Sequence, residues 1–241
     1  MRILMINPNT SATVTEMLAA RMRAIAGPGV TVLPATGRFG ARYIASRAAC
    51  AIAGHAALDA LAAHAADCDA VYLACFGDPG LAALKEVSPV PVVGMAEAAM
   101  RTACGLGGRF AIVTGGTAWE PMLKELVTGL GLSDRLAAVR TIEQSGDEIA
   151  RDPDSALPRL VAACGACANE DGAESVILGG AGLAGLAAVV QAAVPVPVIC
   201  PVEAGTRAVL AVRRGGWGVR PPLKTDSIGL SIALERLLEK S

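Results

Sequence analysis

The sequence predicts an α/β fold: two pseudosymmetric lobes, each a four-stranded parallel sheet flanked by helices, with the active site in the cleft between them. Three observations carry that prediction. Short runs rich in Val, Ile and Leu alternate with longer Ala/Leu segments of helical period, as in parallel sheets covered by helices. The second half of the chain repeats the first. Each apolar run ends in a turn rich in Gly, Asn or Thr, and ligands of open α/β sheets bind at that end of the strands.

The elements follow in order. Strands are expected at 2–6, 30–35, 70–74 and 91–93, then at 109–113, 136–140, 175–179 and 197–199. The repeat joins the two sets. "RILMINPNTSATVTEML" matches "RFAIVTGGTAWEPML", setting Asn7 against Thr114 and Thr10 against Thr117. "VYLACFGDPGLAAL" lies over "VILGGAGLAGLAAV", and "VPVVGMAEAAMR" over "VPVICPVEAGTR". The offset is about 105 residues, the size of a duplicated lobe and far beyond a solenoid unit. Lobe 1 is expected to comprise 1–98 plus 205–241, including a C-terminal helix near 225–239, and lobe 2 to comprise 99–204.

Composition narrows the function. Lys plus Arg number 21 against 22 Asp plus Glu in 241 residues, which leaves no basic excess for nucleic acid or an anionic membrane. Residues 175–202 carry no charge, but four glycines and three prolines cut the stretch into pieces too short to cross a bilayer. The start, "MRILMINPNTS", lacks the long apolar core of a signal peptide. A cytoplasmic protein is expected. Seven cysteines, an odd number, suit reduced thiols better than a disulfide framework. Cys164 and Cys167 form the one CxxC; without a second pair, and with His55 and His64 as the only histidines, it reads as helix packing, and no metal site is expected.

Four matched loops are expected to converge on the cleft: Asn7 to Thr10, Cys75-Phe76-Gly77, Thr114-Gly115-Gly116-Thr117 and Gly179-Gly180-Ala181-Gly182. Asp78 as N-cap and Pro79 at the first helical position predict a helix starting just after Cys75, whose amino end would hold an anion and favour a thiolate. Cys75 is therefore the candidate catalytic group, with the backbone N–H groups of Phe76 and Gly77 beside it. Cys50, Cys68 and Cys104 read as core fillers.

The stretches "INPNTS" (6–11), "ACFGDPGL" (74–81), "VVGMAEAA" (92–99), "ILGGAGL" (177–183) and "VPVICPV" (196–202) resemble the Asp/Glu/hydantoin racemase superfamily, and within it the hydantoin and allantoin racemase branch. The resemblance implies a cofactor-independent racemase acting at the α-carbon of a small amino-acid derivative, with a cysteine on each face of that carbon. One thiol serves as base, the other as acid, and backbone donors stabilise the enolate. A small-molecule substrate with carboxylate or imide oxygens is expected, and because the repeat brings the matched loops to the cleft, Asn7, Thr10, Phe76, Gly77, Thr114, Gly115, Gly116, Thr117, Gly179, Ala181 and Gly182 are expected to hold it. No nucleic-acid or membrane partner is expected, and a homo-oligomer is.

One position departs from the pattern: where the family has Leu-Gly-Cys-Ala-Gly, Gly180 replaces the cysteine. The activity is then expected to be impaired or altered by the missing second thiol, with Cys200 or water as the remaining proton source. Gly180→Cys is expected to raise racemisation sharply, supplying an acid or base on the opposite face without disturbing the donors. Three other readings stay open: a single-cysteine decarboxylase of the same superfamily, a non-catalytic binder of small carboxylates, and an NAD-binding oxidoreductase suggested by Gly180-x-Gly182-x-x-Gly185. Against the last, fewer than sixty residues follow Gly185, too few to complete a classical nucleotide-binding domain.

Overall fold

The computed structural model describes residues 1–212 and 227–240. Its strands are β1 (Arg2–Asn7), β2 (Thr31–Thr36), β3 (Ala70–Leu73), β4 (Val92–Gly94), β5 (Phe110–Gly115), β6 (Leu136–Ile142), β7 (Ser175–Leu178) and β8 (Val198–Ile199). The helices are α1 (Ala12–Ala26), α2 (Arg47–His64), α3 (Leu81–Val87), α4 (Met95–Leu106), α5 (Trp119–Gly129), α6 (Gly146–Arg151), α7 (Pro153–Asn169), α8 (Ala187–Gln191), α9 (Pro201–Ala211) and α10 (Ile232–Lys240). Every expected strand is present, with ends differing by at most two residues. The C-terminal helix begins later than expected, at Ile232, and residues 225 and 226 of the expected span lie outside the described residues.

Two four-stranded sheets form, with orders β2-β1-β3-β4 and β6-β5-β7-β8, and every pairing is parallel. The second order is the first with four added to each number, so the repeat seen in the sequence is a repeat of topology. In each sheet the first and third strands are the central neighbours. Their following loops leave in opposite directions, because one connection runs to the edge on the left and the other to the edge on the right. This is the switch point at which parallel sheets open a ligand crevice.

The chain divides into two compact units. One holds Met1–Ile44, Ala48–Gly94 and the described residues from Thr206 on; the other holds Ala45–Arg47 and Met95–Gly205. The first boundary thus falls at the β4–α4 junction, where the sequence placed it at 98, and the second lies inside α9.

Within the first unit, Leu4, Ile6, Val71 and Leu73 pack with Ala57, Leu61 and Leu84. Within the second, Val113, Val176 and Leu178 pack with Leu160, Cys164, Cys167 and Val190. The strands are apolar along both faces, as sheets covered on both sides require. Cys164 and Cys167 are fully buried on α7, and no group of metal ligands occurs among the described residues. His55 and His64 are exposed on α2. Residues 175–202 form β7, a 3-10 turn, α8 and β8. The long apolar helix α2 buries Ala53, Ala56, Ala57 and Leu61 in the first unit, together with Asp59. That carboxylate accepts two hydrogen bonds from Arg38, at 2.7 and 2.8 Å, and another from Ser231 just ahead of α10.

Helix α2 also supports the loop after β3. Gly54 on α2 meets Gly80 so closely that a Cβ on Gly80 would lie 2.8 Å from the Gly54 Cα, and Gly80 has φ +75°, a left-handed conformation. Both constraints demand glycine. Gly80→Ala should therefore lower stability by about 1–3 kcal/mol in urea unfolding, and Gly80→Asn, which tolerates the left-handed region, should recover none of the loss caused by the close approach.

Candidate functional site

In the first unit, β1 and β3 end side by side, and the Ala74 amide still donates to the Ile6 carbonyl at 2.8 Å. Beyond that bond the ladder stops. The amides of Cys75, Phe76 and Gly77 donate to no carbonyl among the described residues, although Phe76 itself is buried. The Asp78 amide then closes a turn onto the Cys75 carbonyl at 3.1 Å. Three consecutive free N–H groups thus sit around a half-buried thiol. Unpaired amides at such depth are costly unless something accepts from them, and a carboxylate, imide or enolate oxygen would.

The neighbouring loop after β1 is built differently. Asn7 is buried, and its amide nitrogen donates to Asn9 Oδ1 at 2.8 Å, Thr15 Oγ1 at 3.0 Å and the Ser11 carbonyl at 3.2 Å. Ser11 caps α1, accepting from the Val14 amide, and its own amide donates to Asn9 Oδ1. The Thr10 amide donates to the Ala41 carbonyl at 3.1 Å, and Gly37 lies against Pro8. Asn7 therefore spends its polar groups on the loop, leaving the partly exposed Thr10 as its nearest free side chain.

The second unit repeats the arrangement. The Gly179 amide donates to the Val113 carbonyl at 2.8 Å, the counterpart of the Ala74 bond, and the amides of Gly180, Ala181 and Gly182 then donate to no carbonyl among the described residues. Gly182 packs against Gly146 with no room for a Cβ, and Gly115 packs against Gln144 and Ile149 in the same way. The Gly116 amide is bonded to the Ile142 carbonyl at 2.9 Å. Gly115, Gly116 and Gly179 accordingly shape the turn, Thr117 is exposed, and Thr114 is buried next to Gly180.

Two expectations about these loops need correction. No helix begins just after Cys75: α3 starts at Leu81 with Gly80 as its N-cap, and Asp78 is a left-handed residue with φ +45°. Asp78 cannot cap because its buried carboxylate points at Gly94, where a Cβ would stand 2.5 Å from Oδ2. The thiol is consequently not drawn toward thiolate. Burial, then the Asp78 carboxylate, then Cys50, push its pKa well above the ordinary thiol range. The second correction concerns Gly180. Its φ of +121° and ψ of 141° fall in a region reserved for glycine, so Gly180→Cys would strain the turn that carries the donors it was expected to leave undisturbed.

The residues that sequence reasoning misjudged are Asp78, which lay inside the quoted motif as a presumed cap, and Cys50. Cys50 is half-buried on α2 and close enough to Cys75 to influence its ionisation, whereas Cys68 is indeed buried. Cys200 packs, partly buried, against the second unit's core.

A model of the Asp/Glu/hydantoin racemase family matches residues 3–209 of this chain. The chain belongs to that family. Hydantoin racemase of Paenarthrobacter aurescens is 36% identical over 209 residues, covering 86% of this chain and 89% of the relative. Allantoin racemase of Pseudomonas fluorescens superposes with a TM-score of 0.88 at 32% identity, covering 95% of this chain and all of that one. Arylmalonate decarboxylase shares the fold, with a TM-score of 0.63 at 18% identity. These likenesses establish the hydantoin and allantoin racemase branch of the Asp/Glu/hydantoin racemase family.

A thiol whose pKa is raised stays protonated at neutral pH, and its thiolate fraction grows about tenfold per pH unit below the pKa. Alkylation of Cys75 by iodoacetamide, followed by peptide mass spectrometry, should therefore rise log-linearly with pH from about 7 to 10 without a plateau. A curve that levels off above about pH 9 would show that the thiol ionises normally.

Proposed function

We propose that this protein is a racemase of hydantoin- or allantoin-like substrates that moves the α-proton through Cys75. The observation that supports this most directly is the set of three free backbone amides surrounding a thiol at the end of β3, in a chain of this family. Removing the α-proton leaves an enolate oxygen, and the N–H groups of Phe76 and Gly77 are placed to receive it. Each such donor is worth about 2.7–4 kcal/mol of barrier in enzymes that use them. The free amides of Ala181 and Gly182 form an equivalent donor set in the second unit. Thr10, Thr114 and Thr117 supply hydroxyls, while Asn7, Gly115, Gly116 and Gly179 hold the loops in shape.

Because the thiol rests protonated, Cys75 enters the cycle as an acid and becomes a base only in its minor ionised form. Substrate binding favours that form when it brings a polarised imide to the free amides. A second reading draws on the same observation. A single protonated thiol suffices to quench an enediolate after loss of carbon dioxide, so the chain would act as a decarboxylase with Cys75 as proton donor. Seven cysteines, none of them in a disulfide, suit a cytoplasmic enzyme, and the proposed assembly is a homo-oligomer.

Cys75→Ala changes one small side chain and leaves every backbone bond of the loop in place. It should lower α-proton exchange of 5-benzylhydantoin or allantoin in D2O, followed by NMR, by at least about a thousandfold with no change in melting temperature beyond a few degrees. Undiminished exchange would overturn the assignment. Release of carbon dioxide from an arylmalonate, with no exchange of hydantoins, would favour the second reading.

A further inference from the structure

Cys68, Cys164 and Cys167 are sealed in the hydrophobic cores of their units and fill space there. Cys50 does not fit that pattern. It is half-buried near the start of α2, as Cys75 is half-buried at the end of β3, and both belong to the first unit.

Helix α2 packs on the Cys75 loop. A Cβ on Gly54 would lie 3.3 Å from both the Cα and the amide nitrogen of Gly80. Residues four apart share a helix face and side chains tilt toward the helix start, so Cys50 presents its thiol on that same face one turn earlier. The loop folds back to meet it. Two successive turns, the Asp78 amide onto the Cys75 carbonyl and the Leu81 amide onto the Asp78 carbonyl, each at 3.1 Å, keep Cys75 close to the residues that touch α2. The two thiols are near enough for Cys50 to disfavour ionisation of Cys75.

Within this unit no other thiol competes. Cys68 lies beyond the far end of α2, where it donates to the His64 carbonyl at 3.4 Å, and Cys104, Cys164, Cys167 and Cys200 belong to the second unit. Past Ala74, whose amide makes the last ladder bond, turns alone hold the chain, which leaves Cys75 free to make the small adjustment that disulfide geometry asks.

We propose that Cys50 and Cys75 are a redox modification site: a small-molecule disulfide oxidises them to an internal disulfide, which withdraws the Cys75 thiol from proton transfer until a dithiol reduces it again. The loss of activity rests on the racemase reading; the bond itself does not. The step balances. The Cys50 thiolate attacks one sulfur of the reagent and expels a small thiolate, which leaves with the bonding electron pair and takes up a proton. The Cys75 thiolate then attacks the Cys50 sulfur of this mixed disulfide and expels the second small thiolate. One S–S bond is lost and one gained, and two electrons pass from the protein thiols to the reagent. Cys50 attacks first, because Cys75 has the Asp78 carboxylate as well as burial against its ionisation.

The test treats the full chain with bis(2-hydroxyethyl) disulfide at about pH 8, where exchange through thiolates is brisk. One aliquot is assayed for α-proton exchange of 5-benzylhydantoin in D2O, and a second is capped with N-ethylmaleimide and digested. Trypsin together with an endoproteinase that cuts before aspartate separates residues 48–58, which carry Cys50, from residues 69–77, which carry Cys75. Mass spectrometry should find these fragments joined. Exchange should fall in step with the joined fraction, by about a hundredfold or more at completion, and return with dithiothreitol. Cys50→Ala, or Cys50→Ser should the first fail to melt cooperatively, should match the reduced unaltered chain within about threefold. It should lose activity about tenfold more slowly, since Cys75 must then meet the reagent with its own scarce thiolate. Fragments that stay separate overturn the pair whatever the activity does, as does equally fast inactivation of the Cys50 variant, and both leave the racemase reading intact. Joined fragments in a chain whose reduced form exchanges no α-proton uphold the pair and overturn the racemase reading.

Discussion

Everything at the two loops follows from how a parallel sheet stops. Adjacent central strands run in step until one turns away, and the amides beyond the last ladder bond lose their carbonyl partners in a half-buried turn. Here that last bond is Ala74 to Ile6 in one sheet and Gly179 to Val113 in the other, each 2.8 Å long. The three amides after each are free. Gly80 and Gly185, both at positive φ, lie between these donors and α3 and α8, so the free amides belong to the turn before each helix. The donor sets are thus a product of backbone geometry, and side chains are left to decide the chemistry.

On that common frame the halves have diverged. The first places a thiol, a carboxylate and a buried asparagine; the second places a glycine, a leucine and a threonine. The differences are coupled through packing. Gly94 has no side chain because Asp78 fills the space beside it, whereas Cys200, its counterpart, packs on the core with Leu183 nearby in the same cluster. Carboxylate and glycine go together in one unit, leucine and cysteine in the other. Burial first, and the carboxylate beside it second, hold the Cys75 thiol protonated.

Most of the architecture was legible in the sequence, because eight apolar runs separated by helical segments and a duplicated pattern leave few alternatives. The turns were less so. "FGDPG" reads as a capped helix start, since Asp followed by Pro is the usual signature, and only the three-dimensional contact between Gly54 and Gly80 shows why the chain makes two further turns first. Likewise "NPNTS" announces a polar loop, but whether Asn7 faces a ligand or its own loop depends on Thr15, one turn into α1, with which it shares no recognisable motif. Ionisation was the least legible property. The ionisation of this thiol is set first by its burial and then by Asp78 and Cys50, and the last of these lies 25 residues away on another element.

The positive φ of Gly180 decides what that position can carry. At φ +121° a side chain is strained whatever the space, and a Cβ there would also lie 3.2 Å from Leu183 Cδ1. A thiol at residue 180 therefore requires the turn to shift and Leu183 to yield, so a second substitution at Leu183 belongs with any change at Gly180. The same turn keeps the amides of Gly180, Ala181 and Gly182 without a carbonyl partner among the described residues, so glycine here preserves a donor set that a side chain would disturb.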